Sequence, residues 1–155
     1  MNILIQQVDQ LPAQIQDLAV VAEKEGFHFI QRLVDEFQQG SNKFNRHGEF
    51  LLVAFDGDKL VACGGLNIQI SEDGETKQNP ETQHKIGRVR RFYVLPEYRK
   101  TGLGKSLLLE LEKRAKSNFS ALCLSSEKDA APFYQKQNYV FVSNHPNYNY
   151  FKYLI

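Results

Sequence analysis

The sequence predicts one domain that mixes helices and strands, in the order β-α-α-β-β-β-α-β-α-β-β. Two periodicities predict this order: short apolar or alternating runs are typical of strands, and apolar residues three or four positions apart are typical of helices. A length of 155 residues suffices for one sizeable core and is short for two. Because no internal repeat, low-complexity tract or linker divides the chain, we expect a single α+β domain over residues 1–155.

The chain begins with a predicted edge strand, residues 2–8, which two amphipathic helices follow. Pro12 is expected in the first turn of the first helix, which ends near Gly26, and Gly40 is expected to end the second helix. The inward-facing residues are Leu11, Ile15, Leu18 and Ala22 in the first helix, and Ile30, Leu33, Val34 and Phe37 in the second.

A hairpin is predicted next, with strands at residues 50–55 and 59–70 around the tight turn Asp56-Gly57-Asp58. Gly64 and Gly65 inside its second strand predict a bulge or a close approach of another chain segment. Residues 71–84 are polar and have no periodicity. They predict a plain connection between strands in preference to a lid over a substrate.

In the second half of the chain, a strand at residues 86–95 leads through a glycine-rich segment into a helix. That helix carries Leu107, Leu108, Leu111 and Ala115 on one face. A short buried strand is expected at residues 119–125. Asp129 is expected to cap a further helix that tolerates Pro132 in its first turn, and strands at residues 139–142 and 148–155 close the chain.

Composition excludes several classes of protein. The formal net charge is +1 with charges well mixed, so neither a nucleic-acid surface nor a membrane patch is expected. The longest apolar runs have the length of strands, and the N-terminus lacks the pattern of a secretory signal, so we expect a cytoplasmic protein. Cys63 and Cys123 are expected as buried thiols rather than as a disulfide or a nucleophile. The scattered histidines predict no metal site.

The segment from Arg99 to Lys105 has the features of a phosphate-binding loop. Gly102 and Gly104 let backbone N–H groups approach a ligand, and the helix that follows places the positive end of its dipole there. Arg99, Lys100 and Lys105 add full positive charges. A nucleotide-binding P-loop would need a glycine at position 99, and too little chain follows Ser106 for the further strands of that fold.

The pattern Arg/Gln-x-x-Gly-x-Gly/Ala fits instead, and it resembles the pyrophosphate loop of the GNAT superfamily of N-acetyltransferases, which use acetyl-CoA. R-R-F-Y-V-L-P-E-Y, ending at Tyr98, precedes the loop as in that family. The predicted element order also resembles the GNAT order over essentially the whole chain. The resemblance implies a mixed, mostly antiparallel sheet flanked by helices.

A second signature, A-A-P-F-Y-Q-K-Q-N-Y-V from Ala130 to Val140, resembles a GNAT segment near the sulfur of coenzyme A. The resemblance implies that Tyr134 is the catalytic residue that gives a proton to the departing thiolate; the alternative is a core aromatic with a satisfied hydroxyl. Asn138 replaces the usual glycine and tolerates the same left-handed backbone.

The resemblance also implies a site for acetyl-CoA. The strand before the loop would splay from its neighbour and bind the pantetheine arm. The implied cofactor-binding residues are Phe92, Tyr93, Val94, Arg99, Lys100, Thr101, Gly102, Leu103, Gly104 and Lys105, and no metal is implied.

The general base is not evident from the sequence. Many GNAT enzymes carry a glutamate on the strand before the loop, where this chain has Arg88. The base is Glu127, or ordered water accepts the proton, or the protein binds acyl-CoA without catalysis, as a regulatory domain would. Arg88, Arg90 and Arg91 form either a solvated or ion-paired surface or a site for an anionic acceptor. Strand alternation predicts that Arg91 faces away from the other two.

The acceptor pocket in this family lies between the loop joining the first two helices and the turn joining the last two strands. Phe27, His28 and Tyr148 therefore join Arg88 and Glu127 as candidate substrate residues. They predict a small-molecule or peptide amine as acceptor and direct attack without a covalent enzyme intermediate. The sequence leaves a homodimer open and does not name the acceptor.

Overall fold

The computed structural model describes residues 1–69 and 86–155. Its strands are β1 (Ile3–Val8), β2 (Phe50–Asp56), β3 (Lys59–Ile68), β4 (Ile86–Val94), β5 (Ala121–Leu124), β6 (Val140–Phe141) and β7 (Tyr150–Tyr153). Its helices are α1 (Ile15–Lys24), α2 (Phe29–Gln39), α3 (Leu103–Ala115) and α4 (Ala131–Lys136), with a short 3-10 helix at Pro96–Tyr98. The predicted element order is confirmed. The predicted loop at residues 71–84 lies outside the described residues.

Within the described residues the strands form one seven-stranded sheet, in the order β1-β2-β3-β4-β5-β7-β6. Neighbouring strands are antiparallel except for β4 and β5, which are parallel. The predicted mixed, mostly antiparallel sheet is therefore confirmed. The nearly all-parallel sheet of a P-loop protein is excluded.

The core lies between the sheet and the helices. Strand β2 is buried on both faces over most of its length, which is why it reads as a continuous apolar run rather than an alternating one. The predicted inward faces of α2 and α3 are buried, and Gly40 ends α2 in the left-handed conformation at φ 82°.

Two predictions about helix starts are wrong. Helix α1 begins at Ile15, and the Pro12 carbonyl accepts the Ile15 N–H at 3.0 Å, so Pro12 lies in the turn before the helix. Asp129 does not cap α4: the residue in the cap position is Ala130, and no side chain caps the helix. The carbonyl of Glu127 instead accepts hydrogen bonds from the N–H groups of Ala130 and Ala131, at 3.1 Å each. A backbone turn therefore satisfies the N–H groups that the Asp129 side chain was expected to cap.

The predicted irregularity in β3 is confirmed. The register between β3 and β4 shifts between Cys63 and Gly65, and Arg91 on β4 has a φ of 58°. A Cβ on Gly64 would lie 2.7 Å from the Phe92 ring, and one on Gly65 would overlap the ring of Phe44. Both glycines are therefore required by the close approach of aromatic rings as well as by the bulge.

Cys63 and Cys123 are free and buried, as predicted. Burial raises the pKa of both thiols to about 12, so both are protonated and unreactive near neutral pH. In the part of the chain that the structure describes, no helix could cross a bilayer, and no group of three His, Cys, Asp or Glu side chains could hold a metal ion.

Candidate active site

A cleft opens between β4 and β5 because their pairing is short. Within the described residues, the two strands pair only where Ile86, Gly87 and Arg88 face residues 121–123. Strand β4 continues to Val94, paired with β3 on its other side. Its edge toward β5 therefore has no strand partner beyond Arg88 among the described residues. This separation of β4 from β5 is the geometry expected of the strand at Phe92, Tyr93 and Val94.

The glycine-rich segment forms the N-terminus of α3. Gly102 occupies the cap position at φ 91°, and a Cβ there would meet nothing within 4 Å, so glycine is needed for the backbone conformation rather than for space. The hydroxyl of Thr101 donates to the Tyr98 carbonyl at 2.5 Å and accepts the Leu103 N–H at 3.4 Å. The helical hydrogen bonds start with the Ser106 N–H, so the N–H groups of Gly104 and Lys105 point outward.

Phe133 connects this turn to Tyr134. A Cβ on Gly104 would lie 3.4 Å from the Phe133 ring and 3.7 Å from Val94. The centroid of the Phe133 ring lies 5.1 Å from that of Tyr134, and the Phe92 ring contacts both, at 6.1 and 6.3 Å. The structure thus brings the two sequence signatures together, although Gly104 and Tyr134 are far apart in the chain.

Tyr134 is held as a neutral phenol. Its side chain is 8% exposed, and burial raises the pKa of its hydroxyl far above neutral pH. No hydrogen-bond partner for that hydroxyl lies within the described residues. The neighbouring Tyr139, in contrast, donates to Glu112 at 2.8 Å and has a structural role. Tyr134 is therefore the phenol in this cluster that remains able to donate a proton to a ligand. Asn138 ends α4 at φ 73°, as predicted.

Arg99 does not lie free over the loop. Its guanidinium donates two hydrogen bonds to Glu25, at 2.7 and 2.8 Å, and one to the Val94 carbonyl at 3.0 Å. Tyr93 also donates its hydroxyl to Glu25. These hydrogen bonds hold the pKa of Glu25 below its ordinary value, and the bonds from Arg99 have the largest effect. Two further exposed cations, Lys100 and Lys105, lie beside the turn. Phosphate contact by Arg99 stays a prediction.

The arginines of β4 are arranged differently from the alternation that the sequence predicts. Arg91 faces α2 and donates to Glu36 at 2.7 Å, with its side chain 8% exposed. Arg90 pairs with Gly65, and a Cβ on Gly65 would meet the ring of Phe44 just after α2, so Arg90 also lies on the α2 side of the sheet. The expectation that Arg91 faces away from Arg90 is therefore wrong, because the bulge inserts a residue and turns two consecutive side chains to one side.

Arg88 joins β4 to the end of β5 and to the last turn of the chain. It donates to the Asn147 carbonyl at 2.5 Å and to the Ser125 hydroxyl at 3.1 Å. Tyr148 follows in that turn and stacks on His145 at 3.8 Å. Arg88 and Tyr148 are thus near each other, as the predicted acceptor site requires, but the guanidinium of Arg88 is already occupied.

The remaining predicted residues lie at the edges of the site. Phe27 packs against Phe29 and Tyr93, on the Glu25 side of β4. His28 is exposed and contacts Glu23 at 2.6 Å, away from the Arg99 contact. Glu127 is exposed just beyond β5. No sequence pattern predicts Glu25 as the partner of Arg99, because the two residues are 74 positions apart.

Comparisons with known proteins agree with this architecture. A sequence profile of the acetyltransferase (GNAT) family matches residues 13–139. Over 93 residues the chain is 30% identical to the uncharacterized N-acetyltransferase YjcF of Bacillus subtilis strain 168, a match covering 59% of this chain and 56% of that protein. The matched part thus spans little more than half of that curated relative.

Solved structures show the same fold. A protein assigned as an acetyltransferase from Exiguobacterium sp. 255-15 is 29% identical, with a TM-score of 0.82 over 99% of this chain and 94% of its own. An acetyltransferase from Streptococcus agalactiae 2603 superposes over 99% of both chains with a TM-score of 0.73 at 20% identity, which supports the fold alone. Because the family profile covers most of the chain, the protein belongs to the acetyltransferase (GNAT) family, whose members are acyltransferases.

Proposed function

We propose that the protein is an N-acetyltransferase that transfers the acetyl group of acetyl-CoA to a primary amine of a small molecule or a peptide. One observation carries the proposal. The turn at the N-terminus of α3 and the buried hydroxyl-bearing ring of Tyr134 are joined through Phe133, beside the unpaired edge of β4. Such a site offers anion-binding amides at one end and a proton donor at the other.

The residues present fit coenzyme A. Outward-pointing N–H groups of Gly104 and Lys105, the helix dipole and the exposed cations Lys100 and Lys105 would hold a pyrophosphate. The open edge of β4 at residues 92–94 offers backbone groups to an amide-containing arm such as pantetheine. Bound there, acetyl-CoA supplies an activated thioester.

Tyr134 is proposed to act as the general acid. As the acceptor nitrogen forms its bond to the acetyl carbon and the carbon–sulfur bond breaks, Tyr134 gives its proton to sulfur. The proton that the nitrogen loses balances this transfer, so the phenol is restored. Residues 86–94 contain no carboxylate. The proposed general base is therefore the exposed Glu127, with ordered water as the alternative. A homodimer is a separate prediction.

Turnover tests the proposal. We expect release of free thiol from acetyl-CoA in the presence of one or more members of a panel of primary amines, and calorimetric binding of coenzyme A. Binding without thiol release for any amine would favour the alternative, a non-catalytic acyl-CoA-binding domain. Failure to bind coenzyme A at moderate salt would refute both.

A further inference from the structure

Arg90 differs from its two neighbours in having no partner for its guanidinium. Arg88 is bonded to Asn147 and Ser125, and Arg91 is bonded to Glu36. Across residues 1–69 and 86–155, no acceptor lies within hydrogen-bond distance of the Arg90 side chain. Glu36 and Glu49 act on Arg90 through the electrostatic field alone, without a hydrogen bond or an ion pair. The Nε of Arg91 also lacks a partner, but it is buried and its Nη2 is bonded to Glu36. Among the described residues, Arg90 is thus the β4 arginine whose whole guanidinium remains available.

Arg90 lies close to the point at which β4 separates from β5. It pairs with Gly65 of β3 and stands two residues beyond Arg88, the last residue of β4 that pairs with β5. It therefore lies where the cleft begins to open. It also lies between Arg88, which contacts the last turn of the chain, and Arg91, which contacts α2.

The local electrostatics favour an added anion. Partial burial, with Arg91 and Arg88 nearby, lowers the pKa of Arg90, and Glu36 and Glu49 only oppose this effect. Among the described residues, the charges that act on Arg90 are those of Arg88, Arg91, Glu36 and Glu49. With Arg90 itself, three guanidinium groups stand against two carboxylates, which leaves an excess of one positive charge in this part of the described structure. A single negative charge would balance it, whereas a phosphate dianion would overcompensate.

We propose that Arg90 binds a carboxylate of the acceptor, so that the amines acetylated by this protein are amino acids or other amines that carry a carboxylate. The planar guanidinium of arginine donates to both carboxylate oxygens at once, which orients the acceptor as well as attracting it. This inference rests on the proposed function for its reaction. Arg90 thus takes the substrate-binding role that the sequence predicts for Arg88, whose guanidinium is already bonded to Asn147 and Ser125.

The experiment compares acceptors in matched pairs. Amino acids, including β-alanine and γ-aminobutyrate, are each assayed against their own carboxamide for acetyl-CoA-dependent thiol release. The proteins are the wild type, Arg90→Gln, Arg90→Lys and the control Arg32→Gln, which changes an exposed arginine of α2. The wild type is expected to prefer the carboxylate member in kcat/KM. Arg90→Gln should lose about 10- to 100-fold with that member and about 2-fold or less with the amide.

The conservative variant separates binding from folding. Arg90→Lys keeps the charge without the fork and is expected to restore part of the preference, and Arg32→Gln should match the wild type. Equal losses with both members of a pair would overturn the proposal, because a structural role predicts that result. A wild type that prefers phosphoethanolamine to every carboxylate would overturn it also.

Binding without turnover distinguishes failure of this inference from failure of the proposed function. N-acetyl amino acids and their carboxamides are titrated by calorimetry into protein saturated with coenzyme A. We expect tighter binding of the carboxylate form to the wild type, and loss of that difference in Arg90→Gln. If this preference appears while no amine is acetylated, the carboxylate site stands and the reaction does not. If acetylation occurs without any preference, the reaction stands and the site does not.

Discussion

Arg99 and Glu25 connect the two sides of the proposed site through a bidentate ion pair. Arg99 begins the glycine-rich segment before α3, and Glu25 ends α1 beside the predicted acceptor loop. Tyr93, which lies on β4 between them, donates to the same carboxylate. The ion pair therefore ties the glycine-rich segment to the loop between α1 and α2, which the proposed function assigns to the cofactor and to the acceptor.

Replacing Glu25 by Gln should weaken both the fold and cofactor binding. Loss of the bidentate ion pair is expected to lower the free energy of unfolding by about 1 kcal/mol, since the pair is partly exposed. It is also expected to raise the Kd for coenzyme A. Urea unfolding and calorimetry measure the two effects. Glu23→Gln, which removes the exposed contact with His28, is the control and should change neither.

The same pair predicts a pH dependence. The folded-state pKa of Glu25 is below its ordinary value of 4.5, so its contribution is complete above the unfolded pKa and is lost as the pH falls through the folded pKa. The difference in unfolding free energy between wild type and Glu25→Gln should thus be constant near pH 7 and shrink below about pH 4.5. A difference that grows on acidification would contradict the ion pair.

Tyr134→Phe should remove catalysis and leave binding intact. Loss of the proton donor is expected to lower kcat by about 100-fold, because general acids contribute roughly that much. The ring contacts with Phe92 and Phe133 remain, so the Kd for coenzyme A should change little. Tyr153→Phe, at an exposed tyrosine of β7, is the matched control. An unchanged kcat for Tyr134→Phe would assign the proton to another group.

Gly102 should tolerate asparagine better than alanine. Its φ of 91° strains any residue with a Cβ, while the space around it is open. Gly102→Ala is expected to lower the free energy of unfolding by about 1 kcal/mol. Gly102→Asn should lose less, because asparagine enters the left-handed region more readily. Chemical denaturation of the two variants tests the order; equal losses would mean that the backbone conformation is not the cause.

Lys152→Met should be strongly destabilising. The Lys152 ammonium donates to both oxygens of the buried Glu112, at 3.0 and 3.2 Å, and to the Gln137 carbonyl at 2.9 Å. Removing one partner of a buried pair leaves the other charge without compensation, for a loss of about 3 kcal/mol. Lys128→Met changes an exposed lysine and should have little effect. The double variant Glu112→Leu with Lys152→Met should be more stable than Lys152→Met alone.

What the sequence predicts best depends on local patterns. Gly40 and Asn138 take the left-handed backbone expected of them, and Gly64 and Gly65 mark the bulge, because each requirement is written in one or two adjacent residues. The element order follows from periodicity in the same way. Here local chemistry and the final fold agree.

The predictions that failed depend on backbone geometry and on contacts between distant residues, which local sequence patterns do not contain. The cap expected of Asp129 is replaced by a backbone turn, and the bulge reverses the side to which Arg91 points. The pairing of Arg99 with Glu25 requires the folded sheet to bring distant segments together. The availability of Arg90 likewise becomes evident only when the partners of its neighbours are known.

The brevity of the contact between β4 and β5 has a mechanical consequence. Among the described residues, three residue pairs and the side chain of Arg88 join the first four strands to the last three within the sheet. We expect so short a junction to deform more easily than the rest of the sheet, and a ligand bound along it to stiffen it. If the proposed function holds, the sheet would therefore be most rigid with ligand bound. It would be most flexible between turnovers, when one ligand leaves and the next enters.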